Sequence, residues 1–446
     1  MGQTESQTKW KAPFFTIWIG QQVSLIGSNI AQFAVIWWIT ETTGSATILT
    51  FGLLIAIIPG VILGPFIGAL IDRWNRRIIL ITADSVIALM SVILALLFWR
   101  ETIEIWHVYV IVFIRGIGDT FHFPAMAATT PLMVPKKQLA RVAGLNQTTR
   151  GAVNIIAPLA GALLLELFDI YEIMIFDVAT AAFAIFPLLI IAIPQPQRSR
   201  NDTDNPEGKQ GVLSDMHDGF KYVWNWSGLR ALIVLTLILN FLVNPPVVLM
   251  PILVTEHFGG DVLQLGWMNS VWGVGYVIGG VLLSIWGGFQ RRIVTMLIGV
   301  IGLGIGILVV GLTPVMFFPL ALGGFFFGAV MNAMSNGSMF AVLQDVIAPE
   351  VQGRVFSFGR SLANAAMPLG LAIVGPLAEI LGIHMMYVIS GVIYILIGVG
   401  AFFVKPLLYI ENENQSKTTS LLVEEDGKYI PELGIDKTDT SAPVEL

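Results

Sequence analysis

The chain has 446 residues, of which 55% are hydrophobic and only 12% charged, with a mean hydropathy of +0.78. A soluble domain carries about twice that charged fraction, which excludes an ordinary water-soluble enzyme or nucleic-acid binder and points to the membrane. The net charge of −6 is local: from Glu411 onward there are nine acids and three bases, leaving the rest balanced at 21 against 21.

Runs of about 20 apolar residues, enough to cross a bilayer, fall at 14–39, 46–71, 78–99, 106–131, 139–166, 171–193, 229–255, 263–287, 292–312, 315–343, 354–381 and 384–405. The sequence therefore predicts an all-α integral membrane protein with twelve transmembrane helices. It divides into an N-terminus (1–13), a first six-helix bundle (14–193), a linker (194–228), a second six-helix bundle (229–409) and an acidic tail (410–446) expected to be disordered. Lys9 and Lys11 precede a first span with no small-residue cleavage site, so that helix is expected to be retained. Basic residues set the orientation. Lys9, Lys11, the Arg73 to Arg77 cluster, Lys136, Lys137, Arg141, the linker, Arg291, Arg292, Arg354 and Lys405 share one side, and Arg100 stands alone on the other. Both termini and the linker are thus expected in the cytoplasm.

In span 1, Gln21, Ser24, Ser28 and Gln32 recur every three or four residues and share a helical face, expected to line a substrate cavity. Span 2 carries Gly60, Gly64 and Gly68, a small-residue stripe that predicts close approach of another helix. It ends in Asp72-Arg73-Trp74-Asn75-Arg76-Arg77, one acid among three bases, which reads as a latch. The pattern Gly68-x-x-x-Asp72-Arg73-x-x-Arg76-Arg77 resembles the signature loop between helices 2 and 3 of the major facilitator superfamily, with Asn75 in place of one glycine. Arg354, at the cytoplasmic start of span 11, is the expected counterpart of Asp72 in that gating loop.

Span 4 places Arg115, Asp119 and His122 in the apolar core. Ionised groups at mid-depth are costly unless something uses them, which favours a pathway role for the arginine and the acid. Asp119 is taken as the one acid near mid-membrane and the proton carrier. Burial and Arg115, one turn away, act on its proton affinity in opposite senses. The competing reading is a static Arg115–Asp119 pair. Asp177, in span 6, is a second proton candidate, whereas Glu166 and Glu379 read as solvated helix ends.

Span 5 contains Arg150, Asn154 and Pro158, and span 11 repeats the triplet as Arg360, Asn364 and Pro368. The glycine stripe and basic loop recur more weakly as Gly280-x-x-x-Ser284, Gly287, Gly288, Arg291 and Arg292. Parallel six-helix repeats around a midplane site are an architecture of rocking transporters. In the linker, Leu213, Met216, Phe220 and Val223 lie at helical spacing, which predicts a helix on the membrane surface. Asn240 and Asn244 in span 7 precede Pro245-Pro246, expected to break or kink the helix; span 10 adds Asn332 and Asn336. For these asparagines, cavity lining and bonding between helices weigh equally.

The five histidines lack metal-ligand spacing, and no phosphate-cradling Gly-x-x-x-x-Gly-Lys-Ser/Thr loop occurs. No enzyme activity, metal, nucleotide or nucleic-acid partner is expected, so uphill transport would draw on a proton gradient.

Several stretches resemble macrolide-efflux-type facilitators among the drug:proton antiporters. They are Phe15-Thr16-Ile17-Trp18-x-Gly20-Gln21-x-Val23-Ser24, Thr43-Gly44-Ser45-Ala46, Phe113-Ile114-Arg115-x-Ile117-Gly118, Phe121-His122-x-Pro124-Ala125 and Gly353-Arg354-Val355-Phe356-Ser357. The resemblance implies the major facilitator fold, a role for Arg115 in proton coupling, and monomeric export of an amphipathic small molecule across a bacterial inner (plasma) membrane. Ala157-Pro158-x-x-Gly161 matches only part of the span-5 antiporter motif, lacking its leading glycines. An importer, siderophore exporter or lipid-handling facilitator on the same fold, or a membrane sensor or scaffold using the tail, are the alternatives.

Overall fold

A computed structural model describes residues 10–195, 223–224, 226–347 and 349–411. Most of the N-terminus, the body of the linker and the tail beyond 411 lie outside the described residues, and so does most of the expected surface helix.

The described chain is all helical. The first half comprises α1 (Lys11–Thr43), α2 (Ala46–Arg73), α3 (Arg76–Trp99), α4 (Ile105–Met133), α5 (Leu139–Leu167) and α6 (Ile170–Ile190). The second comprises α7 (Ser227–Val248), α8 (Val262–Trp286), α9 (Arg292–Leu312), α10 (Phe318–Val346), α11 (Pro349–Leu381) and α12 (Ile383–Ala401). Among the described residues, ten helices are long and apolar enough to cross a membrane, and Met367–Leu381 of α11 forms a shorter apolar helix.

Local chemistry fixes the helix ends. Gly44 closes α1 in the left-handed conformation (φ 58°), and Ser45 then caps α2 by accepting from the Ile48 N–H. Asn75, the departure from the facilitator loop pattern, caps α3 by accepting from the Arg77 N–H at 3.0 Å. The Pro245-Pro246 pair does not break α7 where it stands. The helix runs to Val248, then passes through a short turn at Met250–Ile252 and a π-turn at Leu253–His257. The buried Tyr387 hydroxyl donates to the Pro246 carbonyl.

Packing partners repeat with an offset of six. In the first half α1 packs on α5 and α6, α3 on α4 and α6, and α2 on α4. In the second α7 packs on α11 and α12, α9 on α10 and α12, and α8 on α10. The halves meet through α2 against α11 and α5 against α8. Val223 and Trp226, at the linker's end, are buried with Leu229, Leu297, Leu407 and Ile410.

Of the expected α2 glycine stripe, the two described members, Gly60 and Gly64, do not bring helices together, and the surroundings of Gly68 lie outside the described residues. A methyl group on Gly64 would meet nothing within 4 Å, and one on Gly60 would only touch Thr120 at 3.4 Å. Close approach is instead built by α9, where a methyl on Gly306 would lie 2.7 Å from the Gly324 carbonyl oxygen and one on Gly299 2.8 Å from Met331's. In the weaker repeat, Gly287 and Gly288 adopt φ of 77° and 83° and serve the turn after α8, not helix packing.

Among the described residues, the tightest contacts between the two halves lie toward one end. Away from the chain ends, a methyl on Gly375 of α11 would sit 2.8 Å from Thr47 Cα of α2, and one on Gly266 of α8 2.7 Å from Ala162 Cβ of α5. Toward the chain ends, the same four helices carry Gly64, Gly144, Gly151, Gly280 and Gly359, where an added methyl would meet nothing within 4 Å. The interior is therefore closed on the side opposite the described chain ends and open beside them.

Candidate functional site

Helix α4 presents Arg115, Asp119 and His122 on one face, at spacings of four and three residues. The fold gives each a different environment. Arg115 does not pair with Asp119 as the spacing predicts. Its Nη1 reaches Asp177 Oδ2 of α6 at 3.0 Å and donates to the Ser91 hydroxyl of α3. Asp177 is wholly buried and accepts further hydrogen bonds from Ser28 at 2.9 Å and Ser91 at 2.6 Å. A carboxylate withdrawn from water requires such a cation and such donors, and the knot ties α1, α3, α4 and α6 together. Asp177 is therefore engaged, not poised.

Asp119 is left exposed, with no hydrogen bond or ion pair among the described residues. It borders a cavity of about 270 Å³ shared with Ser28, Asn29, Gln32 and Arg115 and walled by apolar side chains of α1, α2 and α4. Asn29 also borders a cavity of about 420 Å³ at the seam of the halves, where Asn154 meets Asn269, Trp272 and Tyr276. A third, of about 230 Å³, lies in the second half beside Asn240 and Asn336.

The expected cavity residues thus separate. Ser28, Gln32, Asn154, Asn240 and Asn336 line cavities. Asn332 accepts from the Asn336 amide at 2.7 Å, and Arg150 is exposed with its guanidinium 4.3 Å from the Phe123 ring centre. Gln21 and Ser24 are buried, so the span-1 face is only half a cavity wall. The side chains of Asn244, Arg360 and Asn364 lie outside the described residues, as do those of Asp72, Arg73 and Arg354 in the expected gate. Arg77 donates to the Leu188 and Leu189 carbonyls at the end of α6, while the Arg76 backbone N–H donates to Gln195 Oε1 at 3.4 Å.

Two features escaped the sequence reading. Asp84 in α3 is buried, and it accepts from Gln21 Nε2 at 2.8 Å and faces His122 Nε2 at 3.2 Å. Asp119 is therefore not the one acid at depth; an acid nine residues into α3 was the available signal. Glu379 is no idle helix end. It accepts from the Ser45 hydroxyl at 2.5 Å and the Thr47 N–H at 3.1 Å, joining α11 to the first turn of α2 at the closed end.

The chain matches the family described as "Transmembrane secretion effector" over residues 10–426. Macrolide efflux protein A of Streptococcus pyogenes is 33% identical over 402 residues, covering 89% of this chain and 96% of that protein. Its namesake in Enterococcus faecalis is 32% identical over 335 residues, covering 74% and 100%. The multidrug efflux pump Tap of Mycolicibacterium fortuitum is 25% identical over 414 residues, covering 89% and 97%. Among solved structures, a bacterial homologue of the iron transporter ferroportin in an inward-facing state superimposes with a TM-score of 0.67 at 13% identity, covering 87% of this chain and 98% of that one. An inward-facing bacterial homologue of the lysosomal transporter Spinster gives 0.61 at 15%, covering 95% and 99%.

Proposed function

Since the chain belongs to the transmembrane secretion effector family of the major facilitator superfamily, as a multi-pass efflux transporter of the macrolide-efflux type and not an enzyme, we propose that it exports amphipathic, macrolide-like molecules in exchange for protons. The twelve long helices are its spans, arranged as two six-helix bundles that rock about the seam formed by α2, α5, α8 and α11. The repeated packing pairs support that arrangement. The basic-residue bias assigns the chain ends to the cytoplasm of a bacterial cell, so the conformation described is the one open inward. The transporter works as a monomer, with no nucleotide or nucleic acid as partner and the proton gradient as its energy source.

One observation carries the coupling: Asp119 borders a cavity in the first half with no hydrogen bond or ion pair among the described residues, while Arg115 is committed to Asp177. Such a carboxylate can take up a proton from one side of the membrane and release it to the other. On closure of the inner side, α11 covers the open stripe at Gly60 and Gly64, and the positive helix end near Arg354 receives Asp72. Asp119→Asn is expected to abolish macrolide accumulation driven by a pH gradient in inverted vesicles while leaving macrolide binding intact. Accumulation at the normal rate by a well-expressed Asp119→Asn protein would falsify this assignment.

A further inference from the structure

The node formed by Gln21, Asp84 and His122 has no part in the reading above. It joins three helices, α1, α3 and α4, through side chains alone. Its internal geometry fixes the hydrogens. Gln21 donates its amide nitrogen to Asp84 Oδ2 (2.8 Å), which turns its oxygen away from that carboxyl. That oxygen lies 2.6 Å from His122 Nε2, and Asp84 Oδ1 lies 3.2 Å from the same nitrogen. Two acceptors around Nε2 require the proton to be there, which leaves the lone pair on Nδ1. Nδ1 has no hydrogen bond among the described residues, and the His122 side chain is 25% exposed whereas that of Asp84 is 4% exposed.

We infer that His122, held by Gln21 and Asp84, is a second protonation site of the transport cycle, exchanging a proton with Asp119 on one side and with the open end of the cavity on the other. The inference rests on the antiport reading and extends it by naming where the proton goes. The proton is bound at Nδ1 and leaves from Nδ1. Nε2–H stays in place, and the imidazolium formed in between lies against the Asp84 carboxylate. Asp119 is three residues back along α4, one turn nearer the closed end, so the two groups are consecutive stations on one helix face. The charged groups around His122 are few. Asp84 faces it from α3, Asp119 and Arg115 precede it on α4, and Asp177 of α6 lies beyond Arg115 and is held by it. From α1 the facing group is the uncharged Gln21. The Asp72 and Arg73 side chains at the end of α2 lie outside the described residues.

A purely structural tie makes a different demand. Glutamine at position 122 still offers an N–H donor to Gln21 and Asp84 but takes up no proton. His122→Gln and Asp84→Asn, reconstituted in liposomes, separate the two roles through radiolabelled macrolide. Accumulation driven by a pH gradient is compared with exchange at equal pH, which needs no net proton movement. Both variants are expected to keep exchange within about twofold and to lose gradient-driven accumulation by about tenfold or more. His122→Gln is expected to flatten the pH dependence of the transport rate. If Asp84→Asn fails to fold, His122→Gln alone decides. Wild-type-like accumulation and pH profile in His122→Gln overturn the inference, and so does a parallel fall of exchange and accumulation. Wild-type protein that accumulates nothing under a gradient overturns the antiport reading itself, a separate result.

Discussion

Arg115 and Asp119, four residues apart on a helix, look like partners in the sequence, yet the guanidinium belongs to Asp177, 62 residues away. Spacing within one helix was legible; the rotation that turns α6 toward α4 was not, because it follows from packing. Asp84 was missed for a related reason. It lies near a span end in sequence but is enclosed once α1 brings Gln21 over it. Asn75 carries the opposite lesson, since its replacement of a motif glycine has a direct local meaning as a helix cap. The buried pair sets a test at this scale. Removing either partner leaves a charge uncompensated in the interior, at a cost of about 3–5 kcal/mol. Arg115→Met and Asp177→Leu should each lower the unfolding midpoint in detergent, whereas the double variant should recover most of the loss. Additive losses in the double variant would show that the two side chains do not act as a pair.

Among the elements, the helices themselves were readable from apolar length and caps, while the surfaces joining them were not. Gly60 and Gly64 of α2 face open space and α9 supplies the close contacts, because a stripe shows only that approach is allowed, and the partner decides where it happens. The closed end depends on two devices absent from the sequence reading. Glu379 bridges to Ser45 and Thr47, and the bare Gly375 lets α11 settle on α2. A methyl at Gly375 would overlap Thr50 Oγ1 and fall 2.8 Å from Thr47 Cα and 2.9 Å from the Ala46 carbonyl oxygen. Gly375→Ala should therefore favour the conformation in which this end is open. Glu379→Gln should act in the same direction more weakly, by about 1 kcal/mol, or roughly fivefold in population. Thiol labelling of Thr47→Cys from outside the cell should rise in both variants; unchanged labelling would mean that the contact does not gate.

For the whole molecule, the twofold repeat of Arg-x-x-x-Asn-x-x-x-Pro pointed to matching halves, and the packing pairs recur with the same offset. The conformation was not legible. Under the proposed rocking cycle, one sequence specifies both an open and a closed arrangement of the same four helices, so no residue pattern belongs to only one of them. Orientation remains testable as a whole-molecule property. An epitope inserted near Asp204 and another after Leu446 should both be shielded in intact cells and become reactive once the cells are permeabilised. Labelling of either one from outside would overturn the twelve-span arrangement with both ends in the cytoplasm.

The unfilled glycine positions on α2, α5, α8 and α11 also have an osmotic meaning. A space that opens at one end fills with water, and that water must leave when the end shuts, so the two arrangements differ in hydration as well as in shape. A polymer too large to enter is excluded from that volume and draws water out of it, doing mechanical work on the equilibrium without touching any site. Large polyethylene glycols should therefore protect a cysteine placed at Gly144 or Gly359 from labelling, in proportion to osmotic pressure, while small glycols that enter should not.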